Sequence, residues 1–345
     1  MAYQTRAFNM EEDKGKLSIL WQEKSEKNLQ RRFDYMYGSR ANRQVKTSLL
    51  FDEKSQETVG CLSLFTHTMR VQNKNFKLGV NCDMFVKKEH RLLGPAVILL
   101  KSLIKSAQEE GYQALLAMPN KMSAPVFQRV GYARIGELYR WVKVIDFEDK
   151  LAGKFKNKVA LRIVSVFFNA FLEFFSWEMF WRMAYFLAKG RLRAQEIKFN
   201  EIKFDQHLKK SDAISKPQEY IEWRYYGVDN NDSRAFALTK NGLTAGLILH
   251  YTREQNIIVQ DILLPKSLWE AKIMLSAFIH KMRAEKMKSI SVLFLSGGKM
   301  TGLLKSFGFF RREARSLYLR AFDPELEVDF ADKHGLDLFE GDMDL

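Results

Sequence analysis

Cysteine is scarce in this chain: Cys61 and Cys82 are the two thiols among 345 residues. Two thiols cannot build the framework of a disulfide-stapled secreted domain, so a reducing compartment, the cytoplasm, is the expectation. Six histidines are scattered without metal-ligand spacing, so neither zinc nor iron is expected. A Walker-type glycine loop is missing, and so is a nucleophile elbow, which argues against a P-loop nucleotidase and a serine hydrolase. The opening stretch MAYQTRAFNMEEDKGKLSIL lacks the uninterrupted apolar core of a signal peptide.

What the chain does have is apolar mass and positive charge. With 46% hydrophobic residues it can form two domains with real cores. The net charge is +14 but uneven: from Asp323 to Leu345 nine Asp or Glu face one Lys, a net of −8, leaving +22 (14 + 8) on residues 1–322. A basic body suggests an anionic partner, whether nucleic acid, a membrane surface or a polyphosphate ligand. The acidic tail, 323–345, reads as a solvated, mobile end, with a place across a basic groove as the alternative.

The chain repeats itself. RRFDYMYG (31–38) resembles EYIEWRYYG (219–227), and ETVGCLSLFTHTMRV (57–71) resembles LTAGLILHYTREQNI (243–257). In 80–118 and again in 258–295 a strand carrying an Asp (Asp83, Asp261) leads through a basic turn into a long helix and another strand. PVFQRVGYARIGELYRWV (125–142) and GLLKSFGFFRREARSLYLR (302–320) close the two series, with Gly131 and Gly308 ending a helix before a Tyr-containing strand. The expected organisation is two copies of one mixed α/β unit at 1–150 and 201–322, joined by a helical linker at 151–200. The aromatic motifs Phe33-Asp34-Tyr35-Met36-Tyr37 and Ile221-Glu222-Trp223-Arg224-Tyr225 fit helical core positions, with an acceptor groove as the other reading.

The linker contains IVSVFFNAFLEFFSWEMFWRMAYFL (163–187), long enough to span a bilayer. Glu173, Glu178 and Arg182 interrupt it, each costing about 2.5–3.5 kcal/mol at a bilayer centre, which excludes a simple span. Glu178 and Arg182 are spaced as an i,i+4 pair. Two readings stay open: a buried or docking helix, and an interfacial helix lying on an anionic leaflet as a peripheral membrane contact, with Lys and Arg on both flanks.

EHRLLGPAVILLKSL (89–103) reads as a basic turn entering an apolar helix that Gly111 closes. Pro95 suits the first helical position. No Ser, Thr, Asp or Asn caps that start, so its free amides, with Lys87, Lys88, His90 and Arg91 upstream, suit either an anion or plain water. Following a strand, Arg91-Leu92-Leu93-Gly94-Pro95-Ala96 is similar to the Arg/Gln-x-x-Gly-x-Gly/Ala signature of GNAT acyltransferases. Asn120, Phe127 and Gly131 resemble that family's closing pattern. The likeness covers about 30–145 well and 215–322 as a faded copy, and the whole resembles tandem-GNAT proteins of bacterial cell-surface polysaccharide synthesis.

The resemblance implies a mixed α/β fold in two tandem GNAT-like units, each a central sheet flanked by helices. It implies acetyl-CoA or another acyl-CoA as co-substrate, its pyrophosphate on the amides of Arg91, Leu92, Leu93, Gly94 and Ala96, with Lys88 and His90 adding positive charge. Asn120 would either bond the pantetheine arm or cap the next helix. Asp83, on one alternating face with Asn81 and Phe85, is the candidate base, against a structural role suggested by Asp261. The family's tyrosine acid falls at Phe127, which has no proton to give, and Tyr132 reads as the aromatic after Gly131. In the second copy Ser267 and Glu270 form a capping-box pattern that would use up the amides and repel phosphate, so only the first copy should hold CoA. The expected activity is transfer of an acyl group to an amine, with an amino sugar of a surface glycan as acceptor. The alternatives are an aminoacyl-tRNA-dependent transferase and a non-catalytic binding protein.

Overall fold

The computed structural model describes residues 2–23, 37, 45–71, 74–91, 93–148, 151, 154–155, 157–188, 190–203, 213–214, 216, 218–226, 233–295, 298–323, 326 and 338–343. Of the sequence motifs, 31–36, Leu92 and 327–337 lie outside the described residues.

The strands of the N-terminal half are β1 (Tyr3–Ala7), β2 (Val45–Asp52), β3 (Thr58–Val71), β4 (Lys74–Val86), β5 (Ala114–Ala117) and β6 (Ala133–Val144). Those of the C-terminal half are β7 (Leu192–Ile197), β8 (Ala213–Ile214), β9 (Arg234–Lys240), β10 (Leu243–Arg253), β11 (Asn256–Leu263), β12 (Ser289–Leu295) and β13 (Phe310–Ala321). They form one sheet in the order β1-β2-β3-β4-β5-β13-β6-β12-β11-β10-β9-β7, with β8 on β3. The closing strands are exchanged. β13 pairs with β5 (Tyr318↔Ala117 to Ala321↔Ala114), while β6 pairs with β12 (Leu138↔Leu295 to Val144↔Ser289). β6 and β13 then pair with each other at the centre. The sheet therefore runs unbroken across residues 150 and 201, and separating the halves would open backbone ladders on both sides of that pair. β7, inside the span expected to be linker, is an edge strand on β9.

The helices are α1 (Met10–Glu23), α2 (Leu93–Glu109), α3 (Ala124–Arg129), α4 (Lys158–Phe175), α5 (Glu178–Ala188), α6 (Gln218–Ile221), α7 (Leu268–Ala284) and α8 (Gly298–Ser306). α2 buries Ala96, Leu99, Leu100, Leu103, Ile104 and Ala107, the i, i+3, i+4 stripe of an amphipathic helix, against Leu62, Leu64 and Leu115 of the sheet. Each fully buried leucine there contributes about 1.5–3 kcal/mol. Gly111, at φ 74°, ends the helix, as the sequence indicates. α1 and Tyr37 cover the opposite face of the N-terminal half. α7 and α8 cover the C-terminal half on the face that holds Ile290, Val292 and Phe294.

The linker is not the single helix that both sequence readings assumed. It is two helices, broken at Ser176 and Trp177, where Trp177 sits at φ 58°. The i,i+4 pairing of Glu178 with Arg182 does not form. Glu178 turns inward to Lys143 (2.5 Å) and Arg283 (2.9 Å), since a buried carboxylate needs buried cations, and Arg182 faces Glu173 instead. Burial pushes the Glu178 carboxyl up, but those two cations outweigh it and hold the group below its ordinary range. The outer apolar residues of both helices remain exposed.

The acidic end is not wholly solvated either. Leu338, Phe339, Asp342 and Met343 are buried, because apolar side chains interspersed among its acids reach the core.

Candidate functional site

β4 and β5 are parallel and pair only at Leu78↔Ala114, Gly79↔Leu115 and Val80↔Leu116. β4 then continues to Val86 without β5 beside it, so the sheet splits there. Gly79 sits at the root of the split, where a Cβ would lie 2.5 Å from a Leu64 methyl and 2.7 Å from a Leu115 methyl, so any larger residue would have to displace those side chains. Asn81 bridges the first residues of the gap: its Nδ2 donates to the Leu116 carbonyl (2.9 Å) and to the Tyr132 hydroxyl (2.8 Å). Burial pushes the Tyr132 phenol well above its ordinary pKa, so at neutral pH it carries its proton.

Asp83 does not share a simple alternating face with Asn81 and Phe85. The register slips between Cys61↔Phe85 and Ser63↔Cys82, so that Asp83 and Met84 together oppose the single residue Leu62, one residue in excess, and Asp83 adopts φ 50°. This is a β-bulge, which re-aims a side chain. The buried Asp83 carboxyl acts on Tyr37, whose phenol is raised first by burial and then by that carboxylate. Tyr37 belongs to a buried hydroxyl cluster with Ser63 (2.7 Å) and Thr47 (3.2 Å). Asp83 thus lies toward the α1 face, whereas Tyr132 packs with the residues under α2 and α3.

At the far end of β4 the chain makes a single 3-10 turn, Lys88–His90, and enters α2 at Leu93, two residues before Pro95. Leu93, Gly94 and Ala96 therefore supply first-turn amides, and Pro95 has none to give. Around Gly94 nothing lies within 4 Å of where a Cβ would stand. Ala96 points its methyl into the core, so only its backbone faces the turn. Arg91 is exposed, its Nε donating to the Val86 carbonyl (2.8 Å) and its guanidinium 5.5 Å from the Phe85 ring centroid. Lys88 is exposed. His90 Nδ1 lies 3.0 Å from the Tyr3 hydroxyl, which ties the turn to β1. Lys87 is bound to Glu57 (2.6 Å).

Asn120 is exposed, and its Oδ1 accepts from the amides of Met122 (3.0 Å) and Ser123 (2.9 Å), the geometry of a cap before α3. Phe127 is buried in α3, edge-on to Tyr132 at 5.1 Å. The hydroxyl at the split therefore comes from Tyr132. Its signal lay in the pairing of this tyrosine with a polar residue on β4, invisible until the strands are aligned.

The C-terminal half splits in the same way. β11 and β12 pair from Asn256↔Ser289 to Val259↔Val292 and then part. This gap is filled by the end of the chain. Phe339 bridges Phe294, the Leu295 amide donates to the Leu338 carbonyl (2.9 Å), and a Cβ on Gly341 would lie 2.9 Å from the Gln260 carbonyl on the other bank. The segment is pinned by Arg224, which donates to the carbonyls of Gly341 (2.8 Å) and Met343 (3.1 Å). It is pinned also by Lys216, 2.9 Å from Asp342 and 2.7 Å from Asp261. Burial depresses the Lys216 ammonium, but the two carboxylates more than offset it and hold it above its ordinary range. The capping box expected at Ser267 and Glu270 is not formed: Ser267 makes no side-chain cap bond, and Glu270 reaches Lys240 (2.8 Å). The chain's own tail, rather than that box, occupies this gap.

No group of three or more His, Cys, Asp or Glu is placed to hold a metal among the described residues. Residues 2–135 match the family model described as Acetyltransferase (GNAT) domain. No curated protein matches the chain in sequence. Among solved structures it is similar to a protein of unknown function from Enterococcus faecalis V583 titled a probable N-acyltransferase, at 10% identity and TM-score 0.64, over 93% of this chain and 73% of that one. A GCN5-related N-acetyltransferase from Anabaena variabilis is similar at 10% identity and TM-score 0.62, over 93% and 73%. A fungal GCN5-related glucosamine N-acetyltransferase region of a multi-domain β-N-acetylglucosaminidase is similar at 9% identity and TM-score 0.54, over 92% and 38%. The chain has the mixed α/β fold of the GNAT proteins, a central mixed sheet flanked by helices.

Proposed function

We propose that this protein is an acyl-CoA-dependent N-acyltransferase whose working site is the split between β4 and β5. The observation that carries this reading is the gap itself, rooted at Gly79 and leading to the first turn of α2, where Gly94 faces open space. The family match over 2–135 supports it. The pyrophosphate of CoA lies on the amides of Leu93, Gly94 and Ala96, aided by the helix dipole and by Arg91, Lys88 and His90. The pantetheine arm enters the gap beside Asn81, past Asn120.

The two faces then divide the chemistry. An amine approaches from the α1 side, loses its proton to Asp83 and attacks the thioester carbonyl; the C–N bond forms and the C–S bond breaks. Tyr132, on the other side, gives its proton to the departing thiolate, and the proton taken up by Asp83 returns to Tyr132 through solvent, which restores both groups. The acceptor is an amino sugar of a surface glycan, a class supported by the glucosamine N-acetyltransferase among the similar structures. The gap between β11 and β12 takes no CoA, because residues 338–343 fill it.

Titration with acetyl-CoA by calorimetry, beside a Gly94→Glu variant, tests the reading. A carboxylate at the α2 start faces the pyrophosphate, and at about 5 Å and an effective dielectric near 20 each like-charge pair costs roughly 3 kcal/mol. Binding by the wild type and its loss in the variant support the proposal. Absence of acyl-CoA binding by the wild type, or binding only of aminoacyl-tRNA, overturns it.

A further inference from the structure

We infer that the α4–α5 hairpin docks the protein onto the surface of an anionic lipid bilayer. Its outward face is apolar along both helices. On α4 the exposed side chains Val159, Ile163, Val166 and Phe167 recur at helical spacing, and on α5 Met183, Phe186 and Leu187 do the same. Phe167 and Phe186 are each 72% exposed and Leu187 84%, values that a water-facing core helix does not show. Trp177, at the break between the helices, is 61% exposed and supplies the amphipathic ring favoured at headgroup depth. No helix among the described residues is long and apolar enough to cross a membrane, so the hairpin lies in the interface rather than spanning it.

The charges choose the partner. The hairpin's two acids are withdrawn from the outward face: Glu178 is buried on Lys143 and Arg283, and Glu173 is bound to Arg283 (2.7 Å). Arg182 faces Glu173, but the cations at the hairpin's two ends are not withdrawn. Lys158 and Arg162 at the start of α4, and Arg191 and Arg193 just after α5, are exposed. An outward face of apolar side chains with only positive charge at its ends matches an anionic leaflet, where lysine and arginine gain from the surface potential. A second copy of the same face would instead bring like charges together. The inference rests on the hairpin alone and not on the acyl-transfer reading.

The test is flotation of the full chain with phosphatidylcholine vesicles, with and without phosphatidylglycerol. The wild type should float with the anionic vesicles and release them in high salt. The triple variant Phe167→Gln/Phe186→Gln/Leu187→Gln should stay behind with unchanged urea stability, since all three positions face solvent. Arg162→Gln/Arg191→Gln should bind more weakly by roughly fivefold per cation removed. Failure of the wild type to float with anionic vesicles overturns the inference, as does undiminished binding by the triple variant. A solution dimer that the triple variant converts to monomer, without vesicle binding, would make this face a self-interface. Loss of flotation alongside intact acetyl-CoA binding removes this inference and leaves the proposed function standing.

Discussion

Truncating Phe339 to alanine should release the chain's end from the gap between β11 and β12. Phe339 is 1% exposed, stacked on Phe294 at 5.9 Å, with the Lys216 ammonium 5.4 Å from its ring centroid. Burial of Leu338, Phe339 and Met343 contributes about 1.5–3 kcal/mol each, some 5–9 kcal/mol together. Ordering the six residues 338–343 costs about 1.5 kcal/mol each, roughly 9 kcal/mol. The apolar gain and the ordering cost nearly cancel, so the Arg224 and Lys216 contacts, worth about 0.5–3 kcal/mol each, set a net docking energy of only a few kcal/mol. Removing a buried phenyl ring costs about 3–5 kcal/mol, which equals or exceeds that margin. The variant should therefore undock the tail locally rather than unfold the sheet. Amide exchange reads this directly: the Leu295 amide, now bound to the Leu338 carbonyl, should exchange much faster, while the unfolding free energy from urea titration falls by no more than the docking energy. Retained protection of Leu295 in Phe339→Ala would refute the reasoning.

Two other perturbations follow from the buried charges. Glu178→Gln leaves the Lys143 ammonium, 3% exposed, facing a neutral amide, and should destabilise the protein by about 3–5 kcal/mol in urea unfolding; a loss below about 1 kcal/mol would contradict the assigned pairing. Asp342 is pushed up to about 6 by burial and by the neighbouring Asp261, against the pull of Lys216. Its docked pKa exceeds that of the free tail, so docking takes up a proton and weakens as pH rises from about 4 to about 6. Protease protection of the tail should decline over that interval and lose its pH dependence in Asp342→Asn; protection that increases with pH would oppose the assignment.

The α2 stripe, its closure at Gly111, the basic turn at 87–91 and the strand-to-helix order of each half were all legible in the residues, because helix periodicity, glycine's tolerance of positive φ and local charge are properties of short stretches. They sufficed for a mixed α/β fold and for the place of the turn that enters α2. Local pattern failed where one residue of register changes which face a side chain takes. Asp83 reads as a partner of Asn81 by alternation, yet the bulge sends it toward Tyr37 on the other side. Glu178 reads as the helical partner of Arg182, yet burial binds it to Lys143 and Arg283, which are distant in sequence. The exchange of β6 and β13, and the tail lying between β11 and β12, depend on which strand edges remain unpaired once the halves meet. Periodicity and charge, carried by neighbours along the chain, were determined by the sequence itself; strand order, bulge register and the filling of the second gap were decided only in the tertiary structure, because backbone edges seek partners irrespective of their distance along the chain.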